Sequence, residues 1–211
     1  MTIRRIAWLL GACLMTPLAH AAGALQVTAA HDDAREVQLK QRIESDVVRY
    51  HLGAWLFTKK VVIDKDVWPP HSHPVLTLGV SDAFLTDEVY RVSNLLHEEF
   101  HWDMQMNGRL SPEEETAALK AAFPGLDPTP PQGSGSEAST YRHILVCYLE
   151  YRALATVFGE DAALNSLRAR RYYTGVYALI TDSKNHPAIE AVLRQDGIRI
   201  PARSAKSAAS R

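Results

Sequence analysis

Cysteine is nearly absent from this chain, with two in 211 residues, and that scarcity excludes a small fold stapled by disulfides. Charge of one dominant sign is missing too, since 23 basic side chains stand against 24 acidic ones. A surface that grips nucleic acid needs a dense basic patch to displace counterions from phosphates. The pair Lys59-Lys60 and the group Arg168, Arg170, Arg171 are too sparse for that and read as solvated faces, so no nucleic-acid partner is expected. There is no internal repeat. With 46% hydrophobic and 22% charged residues, what is present is an ordinary globular composition with enough apolar chain for one substantial core.

The first residues stand apart from that core. Arg4 and Arg5 precede an apolar run from Ile6 to Leu18, and the small-x-small sequence Ala19-His20-Ala21 follows it. The run is shorter than the roughly 20 residues that cross a bilayer and is interrupted by Pro17, so residues 1–21 read as a cleaved secretory signal. The expectation is an exported protein, periplasmic or secreted, with no stable membrane span after cleavage. Leu10-Gly11-Ala12-Cys13 resembles a lipobox, which makes lipid anchoring at Cys13 the second choice. Cleavage after Ala21 leaves Cys147 as a lone thiol with no internal disulfide partner, and the formal charge becomes −3, from 21 basic and 24 acidic side chains.

Residues 22–201 read as one domain and 202–211, small, polar and basic, as a disordered tail. From Asp32 to about Tyr50, Leu39, Ile43, Val47 and Val48 recur at helical spacing behind a capping Asp pair. Trp55 to Val67 is β-favouring, and Val75 to Val80 reads as a second strand after a proline-rich break. Thr86 can cap a helix from about Asp87 to Met106, with Asn107-Gly108 as its stop. Ser111-Pro112 opens another helix that ends before Phe123-Pro124-Gly125. Pro124 to Ser139 is an irregular loop. Helical periodicity returns over Thr140–Phe158, again over Ala162–Leu179, and last over Pro187–Gln195.

The chemistry lies in His97-Glu98-Glu99-Phe100-His101. Positions i and i+4 share one helix face, so two imidazoles can meet one ion. Glu98 follows the first of them and can reach a zinc-activated water without coordinating the metal itself. A catalytic zinc site takes a third protein ligand and keeps a position open. Glu150 is the leading choice, a carboxylate inside the very apolar stretch Ile144–Leu154; its alternative is a structural ion pair with Arg142 or Arg152. His143, two turns before Glu150 on the same face, is an alternative ligand or an outer hydrogen-bond partner.

Leu95 to Trp102 resembles the HExxH zinc metallopeptidases, and Glu150 on a later helix resembles the gluzincin arrangement among them. Asn107 stands where a metzincin would have its third histidine, and Leu154 stands where a gluzincin often has a supporting acid. The resemblance implies His97, His101 and Glu150 as ligands of one Zn2+ per chain and Glu98 as the catalytic base. It also implies that a strand before the motif helix, here Val75–Val80, pairs with extended substrate. Tyr172, Tyr173 and Tyr177 are candidates for an oxyanion donor, the alternative being tyrosines that close the core edge. His71 and His73 either line the cleft or bond to backbone.

The expectation is therefore a mostly helical α+β, zincin-like domain, with a small antiparallel or mixed sheet packed on the motif helix. Its expected activity is zinc-dependent hydrolysis of a peptide or protein substrate. A non-catalytic exported zinc-binding protein, or an exported interaction module, is the alternative.

Overall fold

The computed structural model describes residues 25–202. The expected signal over residues 1–21, and all of the expected tail except Ala202, lie outside the described residues. Those residues form a mostly helical α+β arrangement with one three-stranded sheet.

Strand β1 (Gln26–Ala29) leads into helix α1 (Ala34–Arg49), which Asp33 caps by accepting from the backbone N–H groups of Arg35 and Glu36. Leu39 and Ile43 face the core together with Glu36 and Asp46, whereas Val48, expected in the apolar stripe, is exposed. Glu36 accepts from the backbone N–H of His31 at 2.7 Å and of Lys65 at 2.8 Å. That carboxylate ties the start of α1 to the segments leaving β1 and β2 (Lys60–Ile63).

Strand β3 (Leu76–Leu78) completes the sheet in the order β1-β2-β3, with both pairings parallel. This corrects the expected antiparallel or mixed sheet. Helix α1 crosses over between β1 and β2 and returns the chain in the same direction, as parallel pairing requires. Strands of three or four residues carry too few side chains to display their period, which is why β1 leaves no mark in the sequence. The expected strand over Trp55–Val67 contracts for a second reason. Leu52–Trp55 forms a 3-10 turn, and the buried Glu99 carboxylate accepts from the N–H groups of Phe57 and Thr58 at 2.7 and 2.9 Å. The outer edge of β3 is also already taken. Thr77 exchanges both backbone hydrogen bonds with His71, at 3.0 and 2.8 Å, so a substrate strand pairing there would have to displace His71.

Thr86 ends the short helix α2 (Asp82–Thr86), and it is Asp87 that caps α3 (Glu88–Asn107), accepting from the Tyr90 N–H at 2.9 Å. Helix α4 (Pro112–Ala122) has the capping box of Ser111 and Glu114. Helix α5 (Glu137–Phe158) starts three residues before the expected Thr140 because Ser136 caps it. The helix expected over Ala162–Leu179 is two, α6 (Glu160–Arg168) and α7 (Thr174–Thr181). Between them Tyr173 takes φ +53°, a left-handed conformation that costs a non-glycine residue energy. Helix α8 (His186–Asp196) closes the described chain.

Helix α5 is the central element. Every residue from His143 to Leu154 is buried, and α3, α4, α6, α7 and α8 all pack on it. One buried ion pair locks α1 to α3: Arg91 donates to Asp46 at 2.6 Å and to the Phe84 carbonyl at 2.8 Å. Removing one partner strands the other charge, so Asp46→Ala is expected to lower unfolding stability by about 3–5 kcal/mol in urea titrations. A loss under about 1 kcal/mol would place this pair with the weak surface bridges.

Candidate metal centre

The site is the seam between α3 and α5. On α3, Ser93, His97 and His101 recur at four-residue steps and so share one face. On α5, His143, Cys147 and Glu150 follow at steps of four and three and likewise share a face. Ser93 bonds Glu150, while the His101 ring lies 5.0 Å from that of His143. The low-numbered end of one face therefore meets the high-numbered end of the other, which means the helices run antiparallel along the seam.

That direction decides which groups converge. The imidazole centroids of His97, His101 and His143 form a triangle with sides of 5.1, 5.5 and 5.0 Å, and one nitrogen from each lies within 4.8 Å of the others. The Nδ1–H of His97 donates to Glu150 Oε2 at 3.0 Å, and the Nδ1–H of His143 donates to the Ser139 carbonyl at 2.7 Å. Both rings are thereby fixed in the tautomer that leaves Nε2 bare, the form a metal ligand needs. His101 makes no hydrogen bond among the described residues. Three imidazoles with bare nitrogens are a donor set that suits zinc.

Glu150 does not join the three imidazoles. It meets His97 on the Nδ1 side and belongs to a separate group with Cys147. Its remaining acceptor capacity is filled: Ser93 donates to Oε1, Arg170 approaches the same oxygen at 3.4 Å, and Tyr177 donates to Oε2 at 3.0 Å. The carboxylate thus orients His97 from its Nδ1 side, while His143 faces the other two imidazoles. The alternative ion-pair partners of Glu150 are engaged elsewhere, Arg142 with Glu115 and Arg152 with Glu190. Its cation is Arg170, expected on a solvated face but 7% exposed and lying over the Tyr90 ring at 4.5 Å.

A cleft of about 320 Å³ reaches this group at His97, with Glu98 and Tyr173 also in its lining. Trp68, Pro69 and Pro70 form one wall, and Pro130 and Pro131 belong to the lining as well. The second loop is pinned to α7, whose Thr174 and Gly175 N–H groups donate to the Pro131 and Gln132 carbonyls at 2.8 and 3.1 Å. Glu98 makes no hydrogen bond or ion pair among the described residues. Burial raises its pKa, His97 pulls it down and Glu150 pushes it up, with a net rise above the usual carboxylate value. Tyr173 packs its ring 4.2 Å from that of His143, and burial raises its pKa to about 12. Tyr172 instead accepts from Arg170 at 2.9 Å and donates to Asn94 at 3.3 Å. Of the three tyrosines, Tyr173 alone has a hydroxyl with no hydrogen bond among the described residues. His71 serves the β3 edge, and His73 stacks on Trp102 at 4.1 Å with its Nδ1 2.8 Å from Ser72 Oγ; neither joins a metal-holding group.

The three imidazoles differ in their hold on a proton. Burial, reinforced by His97, lowers His143 to about 4 and His101 well below the ordinary imidazole value. Burial acts the same way on His97, but its contacts with Cys147 and Glu150 outweigh it and hold that pKa well above the ordinary value. Metal and proton therefore compete most strongly at His97, and zinc affinity is expected to weaken as pH falls. Titrations at several pH values read that dependence, and an affinity that does not change with pH would contradict it.

No protein-family model matches the chain, and no curated protein or solved structure shows significant similarity to it. Ser93, Asn94 and Arg170 and the two proline-bearing walls were not found from the sequence. Ser93 had a signal, one turn before His97 on the motif face. Arg170 had none.

Proposed function

We propose that this protein is an exported zinc metallopeptidase of the HExxH type, with His97, His101 and His143 holding one zinc ion and Glu98 as general base. The observation that carries the reading is the convergence of three imidazoles, two with Nδ1 already bonded, beside an unpaired carboxylate in a cleft. Among the described residues no fourth donor joins the three imidazoles, as suits a centre that keeps a position open for water. In fold terms the reading is zincin-like in its motif helix and small sheet, with the third ligand supplied by α5.

Zinc held there would supply Lewis acidity, bringing a water's pKa toward neutrality and polarising the scissile carbonyl. Glu98 takes the water's proton at its carboxylate and returns it to the departing amine; a raised pKa suits both halves of that task. Glu150, fixed by Ser93, Arg170 and Tyr177, keeps His97 in its tautomer. Tyr173 donates its phenolic proton in a hydrogen bond to the oxygen on which charge develops.

A chelator is expected to abolish hydrolysis of a denatured protein substrate, and added zinc to restore it. Activity that survives complete zinc removal would refute the reading. Tyr173→Phe is expected to lower kcat by about 10²-fold while KM and zinc content stay near wild type. An unchanged kcat would remove Tyr173 from the mechanism.

A further inference from the structure

We propose, resting on the peptidase reading above, that the cleft is one end of a longer channel that takes an extended stretch of polypeptide carrying bulky apolar side chains. A second groove of about 620 Å³ adjoins the first, and the two share Trp68, Arg170 and Tyr172 in their linings. Each volume lies in or near the ~300–1,000 Å³ range of ligand sites, and together they exceed what one or two residues fill.

Trp68 marks the junction. It is 65% exposed, and among the exposed large hydrophobics Val37, Val48, Trp68 and Met106 it alone lines either cavity. Its base is fixed rather than loose: a side chain at Gly79 would stand 2.3 Å from the Val67 carbonyl, so only glycine lets the two segments approach. An exposed aromatic surface between two cavities is an anchor for a partner's apolar groups. Small side chains, Ala83, Ala162 and Ala169, leave the second groove its volume.

The substrate class is therefore an unstructured polypeptide that presents several apolar side chains in succession.

The test uses zinc-loaded Glu98→Gln protein, which binds without cutting, and two blocked probes, acetyl-Phe-Leu-amide and acetyl-Ala-Leu-Phe-Leu-Phe-Leu-Ala-amide. The longer probe is expected to bind at least tenfold more tightly by calorimetry. Ala169→Trp, an exposed position that fills the second groove, should erase that advantage and leave the short probe unaffected. Trp68→Ala should weaken both probes by about tenfold. Short-probe binding that is retained with no advantage of length, or an advantage that survives Ala169→Trp, overturns the channel and leaves the peptidase reading standing. A zinc-loaded protein that binds neither probe overturns both.

Discussion

Glu98→Gln is expected to keep about one zinc per chain and to lose about 10²–10⁴-fold in kcat/KM, the range over which a positioned general base contributes. Glutamine matches glutamate in shape but cannot accept the water's proton. Zinc is retained because Glu98 belongs to neither group of side chains around His97 that can hold an ion. Burial of Glu98 gives the prediction a second part, in pH. Burial raises the Glu98 pKa in the metal-free protein and a bound Zn2+ opposes that rise, so the wild-type kcat/KM profile should carry an acidic limb, with activity falling as pH drops through it. The variant's residual activity should lack that limb. A variant as active as wild type would mean that the proton goes elsewhere and that Glu98 is only a cleft wall.

The second large effect separates the two candidates for third ligand. If His143 faces the ion, His143→Ala weakens zinc binding by more than the about 10–100-fold that removal of an outer hydrogen-bond partner causes. Glu150→Gln should fall within that range, since glutamine can still accept from His97 through its amide oxygen. The variant leaves Arg170 buried without its counter-charge, so circular dichroism and thermal melts must accompany the titration. Equal effects of the two substitutions would contradict the geometry, and a larger effect at Glu150 would restore the carboxylate as ligand.

Much of this centre was legible in the sequence, and the order of His143 and Glu150 along the seam shows where legibility stopped. The spacing of His97, Glu98 and His101 follows from helix geometry alone, and a carboxylate inside the apolar run Ile144–Leu154 had to meet something charged. His143 and Glu150 are seven residues apart and share a face of α5, so periodicity placed both on the seam without ranking them. The ranking depends on the antiparallel run of α3 against α5, which brings position 150 to Ser93 and His97 and position 143 to His101. No local pattern encodes that direction.

The break between α6 and α7 was hidden for another reason. Leu167, Val176, Tyr177 and Ile180 are all buried and keep an approximately helical rhythm across it. Only the contacts of Arg170 and Tyr173 with the α3–α5 seam explain why the chain leaves the helix there. The parallel sheet was illegible because its strands are too short to carry a period and because Glu99, one residue past the motif's base, takes the backbone of Phe57 and Thr58 away from β2. The same glutamate places the motif helix beside the sheet, so a residue the motif leaves unspecified does much to position it.

The most direct measurement is anomalous diffraction at the zinc edge from crystals of the zinc-loaded protein. The account predicts one strong peak enclosed by the Nε2 atoms of His97, His101 and His143, open toward Glu98 and the cleft. A peak on the other side of the His97 ring, between Nδ1, Cys147 and Glu150, would contradict it, as would a fully loaded crystal with no peak at the three imidazoles.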